Sequence, residues 1–295
     1  MNERSWLAKL VLDQLLRLGQ AVLYGSLFIA LCAASLVMVT CRQLTIEPTC
    51  GIPAVFVFFA TLGVYNIHHL MGMNRAAATP QAFWVKNHRF GVLLLSIIGV
   101  GGAGFFFFQL RLPAQLLAVA LAFIVVSYEL KAFRDFLTHA FGGRLVLLKT
   151  FVIAAVWTAA TVLIPAWNAQ HPADNMHLAL MLLNRFAFIS LLALCFDARD
   201  QISDSRRGLL TIPVRFGMDF TLYLYRALTA ASFVLIVVMY VLLWPSAAMA
   251  IALTLSVLAA YFAVSRADQV SSPYYYPMLV DGQMLLQWML VMLLT

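Results

Sequence analysis

The stretch FAFISLLALCFDARDQISDSRRGLLTIPVRFG, residues 186–217, decides how this chain is read. Residues 186–196 are mostly apolar, and three carboxylates and four arginines then arrive within the next twenty-one positions. If the helix of the apolar run continues, Asp197, Asp200 and Asp204 stand at i, i+3 and i+7. At about 100° per residue they share an arc of roughly 60°. Like charges that close repel and raise one another's pKa, so the strip makes most sense around a cation. Carboxylate oxygens with room left for water and phosphate suit Mg²⁺ better than zinc or copper. The plainer reading is a solvated helix end in which Arg199, Arg206 and Arg207 pair with the aspartates.

Composition says where that helix end lies. The chain is 63% hydrophobic and only 11% charged, against about 25% charged in soluble domains, and its mean hydropathy is +0.91. It is an integral membrane protein with many spans. A net charge of +7 would point to nucleic acid in a soluble protein; here the basic residues are topology signals and anchors for anionic lipid or phosphate. No nucleic-acid partner is expected.

Nine apolar stretches follow in order, at about 19–41, 50–72, 90–110, 113–128, 145–167, 177–197, 221–244, 247–264 and 279–295. Most approach the roughly 20 residues that cross the hydrocarbon, the fourth, eighth and ninth being short. With the N-terminus inside, sixteen of the nineteen Lys and Arg fall on the inner side; Arg42 and Arg111 are outside and Arg185 lies within a span. That asymmetry places the acidic strip in the cytoplasm. The expected setting is a bacterial inner membrane, crossed many times. Residues 1–18 carry recurring charges and so do not read as a signal peptide. Leu7, Val11, Leu15 and Leu18 share one face, which predicts a short interfacial helix before a single transmembrane domain over residues 19–295.

The acidic strip belongs to a longer pattern, Asp-x-x-Asp-x-x-x-Asp-x-x-x-Gly-x-x-Thr-x-Pro-x-x-x-Gly, filled by Asp197, Asp200, Asp204, Gly208, Thr211, Pro213 and Gly217. Gly208 is placed to end the helix in a left-handed turn and Pro213 to stop its continuation. This pattern resembles the second aspartate-rich motif of the UbiA superfamily of intramembrane prenyltransferases. The resemblance implies an all-α bundle of about nine spans in which Asp197, Asp200 and Asp204 hold Mg²⁺ against a prenyl diphosphate. It also implies a first acidic motif at the end of the second span, Asn-x-x-x-Asp-x-x-x-Asp. Asn66 matches there, but the two aspartates are replaced by Leu70 and Asn74.

Asn66 and Asn74 nevertheless lie about two helical turns apart with His69 between them, and imidazole is a reasonable phosphate donor. Either His68 or His69 can serve, or both are interfacial residues at the end of a span. Zinc at His68, His69 and His88 is disfavoured, because helix neighbours point about 100° apart. After the fourth span, Tyr128 and Lys131 are similar to the family's Tyr and Lys but one residue closer together, with Arg134 as a substitute cation. With Arg207, these cations would neutralise phosphate oxygens as the allylic bond breaks, or they are ordinary positive-inside charge. Lys149, near the start of a span, is expected either to snorkel or to face a cavity.

Gly101, Gly102 and Gly104 offer a close helix approach, and Phe105 to Phe108 face lipid or a prenyl chain. Cys41 and Cys50 bracket an outer loop and can pair in an oxidising compartment, while Cys32 and Cys195 lie within spans. Asn184 and Arg185 lie in the outer half of the sixth span, and spans seven to nine add only Arg226 and Asp281, each near an inner end. The expected function is Mg²⁺-dependent transfer of a polyprenyl group from its diphosphate to a lipophilic acceptor within the membrane. The alternatives are a terpene cyclase of the same fold and a catalytically degenerate isoprenoid- or lipid-binding protein.

Overall fold

The computed structural model describes residues 14, 16–46, 50–72, 79–129, 144–170, 173–206, 208–244, 246–270 and 272–295. Among these the regular structure is helical, with no strand. Eight helical spans are long and apolar enough to cross a membrane, and the shorter apolar helix over Leu112–Ser127 makes nine. In chain order they begin with α1 (Leu27–Leu44) and α2 (Gly51–Gly72), then the short α3 (Pro80–Asn87), α4 (Arg89–Phe107) and α5 (Leu112–Glu129). Next come α6 (Arg144–Thr158), a π-helical turn (Ala159–Leu163) and α7 (Ile164–Asn168), which form one span. The bundle ends with α8 (Asn175–Arg206), α9 (Ile212–Leu243), α10 (Ala247–Ser265), a π-helical segment (Tyr275–Val280) and α11 (Gly282–Leu294). A helix bonds its interior backbone groups within its own segment, which is what a bilayer interior demands.

Boundaries depart from hydropathy where backbone geometry intervenes. Residues 16–24 are already helical, but Ser26 takes a positive φ of 62° and α1 starts only at Leu27. Hydropathy runs smoothly through that break, which is why the first span was expected from residue 19. Most of the interfacial helix expected over residues 1–18 lies outside the described residues. At the other end of the key stretch, Gly208 adopts a φ of 69° and ends α8, and Pro213 occupies the first turn of α9. Gln201 Nε2 donates to the Pro213 carbonyl at 2.8 Å and ties this turn back to α8.

Two contacts hold α2 in place. Cys41 and Cys50 form a disulfide across the α1–α2 turn, with Cα atoms 6.2 Å apart. Further along, Gly63 of α2 meets Gly99 of α4 so closely that a Cβ on Gly99 would lie 2.4 Å from the Gly63 nitrogen. Backbone cannot yield as a flexible side chain can, so the approach depends on glycine here. The Gly101–Gly104 run contributes less than its composition predicts: Gly102 packs on the Phe59 ring, whereas Gly101 and Gly104 face open space. Phe105 and Phe108 are exposed, while Phe106 stacks on Phe59 and Phe107 tilts against Phe56.

Candidate active site

α8 is one continuous helix, and its last two turns carry Asp200 and Asp204 to a cavity of about 740 Å³. The ends of α2 and α10 and the starts of α1, α9 and α11 complete the wall. Asp200 and Asp204 line this cavity, as do Arg199, His69 and Asp281. Arg199 is the centre of the charged wall. Its Nε and Nη2 donate to the two Asp200 oxygens at 2.7 and 2.9 Å, and its guanidinium lies 5.0 Å and 5.1 Å from the Phe196 and Tyr276 ring centroids. The pair is about two-fifths exposed, so holding it together contributes only about 0–1 kcal/mol and Asp200 can be released at small cost.

Asp197 departs from the expected strip. It is buried and does not line the cavity; Thr150 Oγ1 donates to one of its oxygens and Lys149 Nζ lies 3.7 Å from the other. The three aspartates do start on one helical face, but the neighbouring α6 claims the first of them. Lys149 is therefore neither a free snorkelling cation nor a cavity residue: it balances a buried carboxylate.

The facing wall carries no acid among the described residues of α2. His69 sits there, Nδ1 3.4 Å from Ser26 Oγ and Nε2 3.1 Å from Gln81 Nε2. Asn66, predicted to face substrate, instead donates its side-chain amide to the Gly25 and Leu62 carbonyls at 3.0 and 2.9 Å and is fully buried behind the wall. Those two carbonyls satisfy the amide nitrogen, while the buried Oδ1 has no hydrogen-bond partner among the described residues. Asn74, Lys131, Arg134 and Arg207 lie outside the described residues.

Beside His69 the cavity rim is aromatic. Tyr24 stacks on Tyr274 with centroids 6.0 Å apart and tilts against Trp84. Burial, and next the neighbouring Tyr274, push the Tyr24 phenol up to about 12, so it stays neutral at physiological pH. Deeper in, Tyr65, Phe196, Tyr225 and Tyr276 line the space. Among the described residues Tyr65 alone is shared with a second cavity of about 500 Å³, an apolar one between α2, α4, α5 and the α6–α7 span. Its ring meets Trp157 edge-on with centroids 6.3 Å apart.

Among the described residues no three His, Cys, Asp or Glu side chains gather closely enough to hold a metal ion. A metal held by protein alone does not fit. Mg²⁺ differs, since it normally takes one or two carboxylates and completes its shell with water and substrate phosphate. Asp200 and Asp204, one turn apart on the cavity wall, are such a donor set.

Sequence reasoning placed Asp281 only near the end of a span and treated Arg199 as a surface partner. Both belong to this cavity. The available signal for Asp281 was that it is the one acid in the final span, where a charge is expensive and tends to face a cavity.

Comparison with known proteins agrees with this architecture. No curated protein matches the sequence. Two solved structures share the fold. A UbiA homologue from Aeropyrum pernix K1 aligns with a TM-score of 0.64 at 15% identity, over 90% of this chain and 98% of that one. A digeranylgeranylglyceryl phosphate synthase aligns with a TM-score of 0.58 at 12% identity, over 94% of this chain and 98% of that one. The sequence itself matches the UbiA prenyltransferase family over residues 85–276, a stretch that contains the acidic end of α8, and the chain belongs to that family.

Proposed function

We propose that this protein transfers a polyprenyl group from its diphosphate to a lipophilic acceptor inside the membrane. The observation that carries this reading is the pairing of a charged cavity, walled by Asp200, Asp204 and Arg199, with an apolar cavity reached past Tyr65. A prenyl diphosphate has the same two-part character. Its diphosphate lies against α8 and His69, and its hydrocarbon tail runs past Tyr65 into the apolar space, where burial is favourable by about 0.8 kcal/mol per CH₂.

Asp200 and Asp204 are the residues that hold Mg²⁺ in this reading. The ion supplies charge neutralisation for the departing diphosphate. Arg199, once its fork leaves Asp200, has a planar face of donors suited to phosphate oxygens. On the opposite side His69 Nε2 accepts from the Gln81 amide, so its Nδ1–H, once it leaves Ser26 Oγ, is the donor that turns to phosphate. The allylic carbon–oxygen bond breaks with its electron pair on the diphosphate oxygen, and the acceptor's electron pair closes the new bond while its proton passes to the departing diphosphate. Aromatic walls keep water away from the cation in between. Asp197 acts indirectly: with Lys149 and Thr150 it fixes the end of α8 against α6.

The experiment is diphosphate release from allylic prenyl diphosphates of several chain lengths, with and without Mg²⁺, for the parent and Asp200→Ala. Release that needs both Mg²⁺ and Asp200 supports the proposal; no release from any substrate, or release indifferent to Asp200, overturns it. One observation favours a second reading, an isoprenoid-binding protein without turnover: among the described residues the α2 wall carries no carboxylate, and Asp200 is held by Arg199. That reading expects analogue binding without release in the same assay.

A further inference from the structure

A metal ion on Asp200 and Asp204 leaves the charge balance of the cavity incomplete. Two carboxylates cancel the charge of one divalent ion, so a diphosphate laid against them still needs a cation. A second ion lacks donors. Asp197 is taken by Thr150 and Lys149, Asp281 is a single carboxyl just before α11, and no three His, Cys, Asp or Glu side chains gather among the described residues. Arg199 is the one Lys or Arg among the described residues that lines this cavity.

The surroundings of Arg199 hold its guanidinium in place from two sides. The guanidinium carbon lies 5.0 Å from the Phe196 ring centroid and 5.1 Å from that of Tyr276, and the two centroids are 5.8 Å apart. Phe196 stands one turn earlier on α8, whereas Tyr276 belongs to the π-helical segment before α11. Two phenols tie that segment to the end of α10: Tyr275 donates to the Ala263 carbonyl at 2.7 Å and Tyr276 to the Ala267 carbonyl at 3.3 Å. With the cation against both rings, its Nε and Nη2 donors remain on Asp200. Ring contact and fork are separate holds on one side chain, so the fork can change partner while the rings keep the charge where it is.

Building on the proposed transfer reaction, we infer that the site takes its diphosphate with a single Mg²⁺, that Arg199 supplies the second cation, and that Tyr276 is the positioning residue that keeps Arg199 there. In the free protein the Arg199 fork neutralises Asp200. When Asp200 and Asp204 turn to the ion, the fork is released, and phosphate oxygens replace the carboxylate oxygens with the same bidentate geometry. Each exchange makes the other easier, so ion and diphosphate raise one another's affinity by the same factor. A freely moving arginine would lose rotamer freedom on gripping phosphate; one already held by Phe196 and Tyr276 has little left to lose.

Farnesyl thiolodiphosphate, an unreactive analogue, tests this on the purified full-length protein in detergent micelles. Bound Mn²⁺, a spectroscopic substitute for Mg²⁺, is counted by electron paramagnetic resonance at saturating analogue, and analogue affinity is measured by calorimetry with Mg²⁺. The parent is expected to hold one ion per bound analogue. Arg199→Gln is expected to weaken the analogue about 10-fold to 100-fold. Tyr276→Leu weakens it about threefold to tenfold, whereas Tyr276→Phe, which keeps the ring, stays within about twofold. In an Arg199→Gln background Tyr276→Leu costs nothing more, because its effect passes through the guanidinium. Two ions per analogue in the parent, or unchanged affinity in Arg199→Gln, overturns the inference. So does a Tyr276→Leu loss of the same size without Arg199, which assigns Tyr276 to the fold. If the parent binds no analogue at any Mg²⁺ concentration, the transfer reading itself falls and takes this inference with it.

Discussion

Two helix ends face each other across the charged cavity, and they are chemically unlike. The end of α8 brings Asp200, Asp204 and Arg199 to it; the end of α2 brings Tyr65 and His69, the latter held by Ser26 and Gln81. Where the family pattern leads one to expect acid against acid, this chain sets acid against imidazole. A pair of acidic walls needs cations at both to hold a diphosphate between them. A single acidic wall needs fewer, because a neutral hydrogen-bond donor opposite adds no repulsion. On the proposed function, the difference puts metal handling on α8 and leaves α2 as a guide for phosphate.

The comparison can be broken most forcefully on the acidic side. Asp204→Asn is expected to lower Mg²⁺-dependent diphosphate release on the order of 10²–10³-fold, about 3–4 kcal/mol in the transition state. Steady-state release assays check it, and a loss of less than about fivefold would move the ion elsewhere.

The placement of the α2 wall is tested next. Gly99→Val drives a branched side chain into the Gly63 backbone and is expected to cost about 2–3 kcal/mol of stability, read as a shifted denaturation midpoint in micelles. An unchanged midpoint would mean that α2 does not depend on that contact.

Within α8 itself, Asp197 is predicted to part company with its two neighbours. Asp197→Asn leaves Lys149 without a counter-charge and is expected to cost about 1–2 kcal/mol of stability, while release falls less than about tenfold. A drop as large as that of Asp204→Asn, with stability intact, would return Asp197 to the substrate.

The smallest effect is expected from the guide wall. His69→Ala removes one hydrogen bond to phosphate and should weaken thiolodiphosphate binding about fivefold to tenfold, near 1 kcal/mol, with little change in maximal rate. Calorimetric titration decides it, and a collapse of rate at unchanged affinity would give His69 a chemical role instead.

Much of this architecture was legible in the sequence, for physical reasons. Nine apolar runs are visible because lipid demands long apolar helices, and Gly208 and Pro213 mark the end of α8 and the start of α9 because backbone geometry restricts each to few conformations. The cavity was legible in part. Asp200 and Asp204 followed from helical periodicity, but periodicity fixes only a face and does not say which neighbour meets it, so the diversion of Asp197 to Lys149 and Thr150 was hidden. Asn66 misled for the same reason: its spacing matched the family pattern, while its amide bonds Gly25 and Leu62. Asp281 stood out only as the one acid of the final span, because Arg199 and Tyr65, which line the same cavity, lie more than eighty residues away in the chain.

The account rests on Asp200 and Asp204 gripping a diphosphate through Mg²⁺, and a structure with Mg²⁺ and farnesyl thiolodiphosphate bound tests that directly. The predicted result is metal density touching both carboxylates and both phosphates, His69 against the opposite phosphate edge, and the tail beyond Tyr65. Phosphates lying away from α8, or bound with no metal between them and these two aspartates, would contradict it.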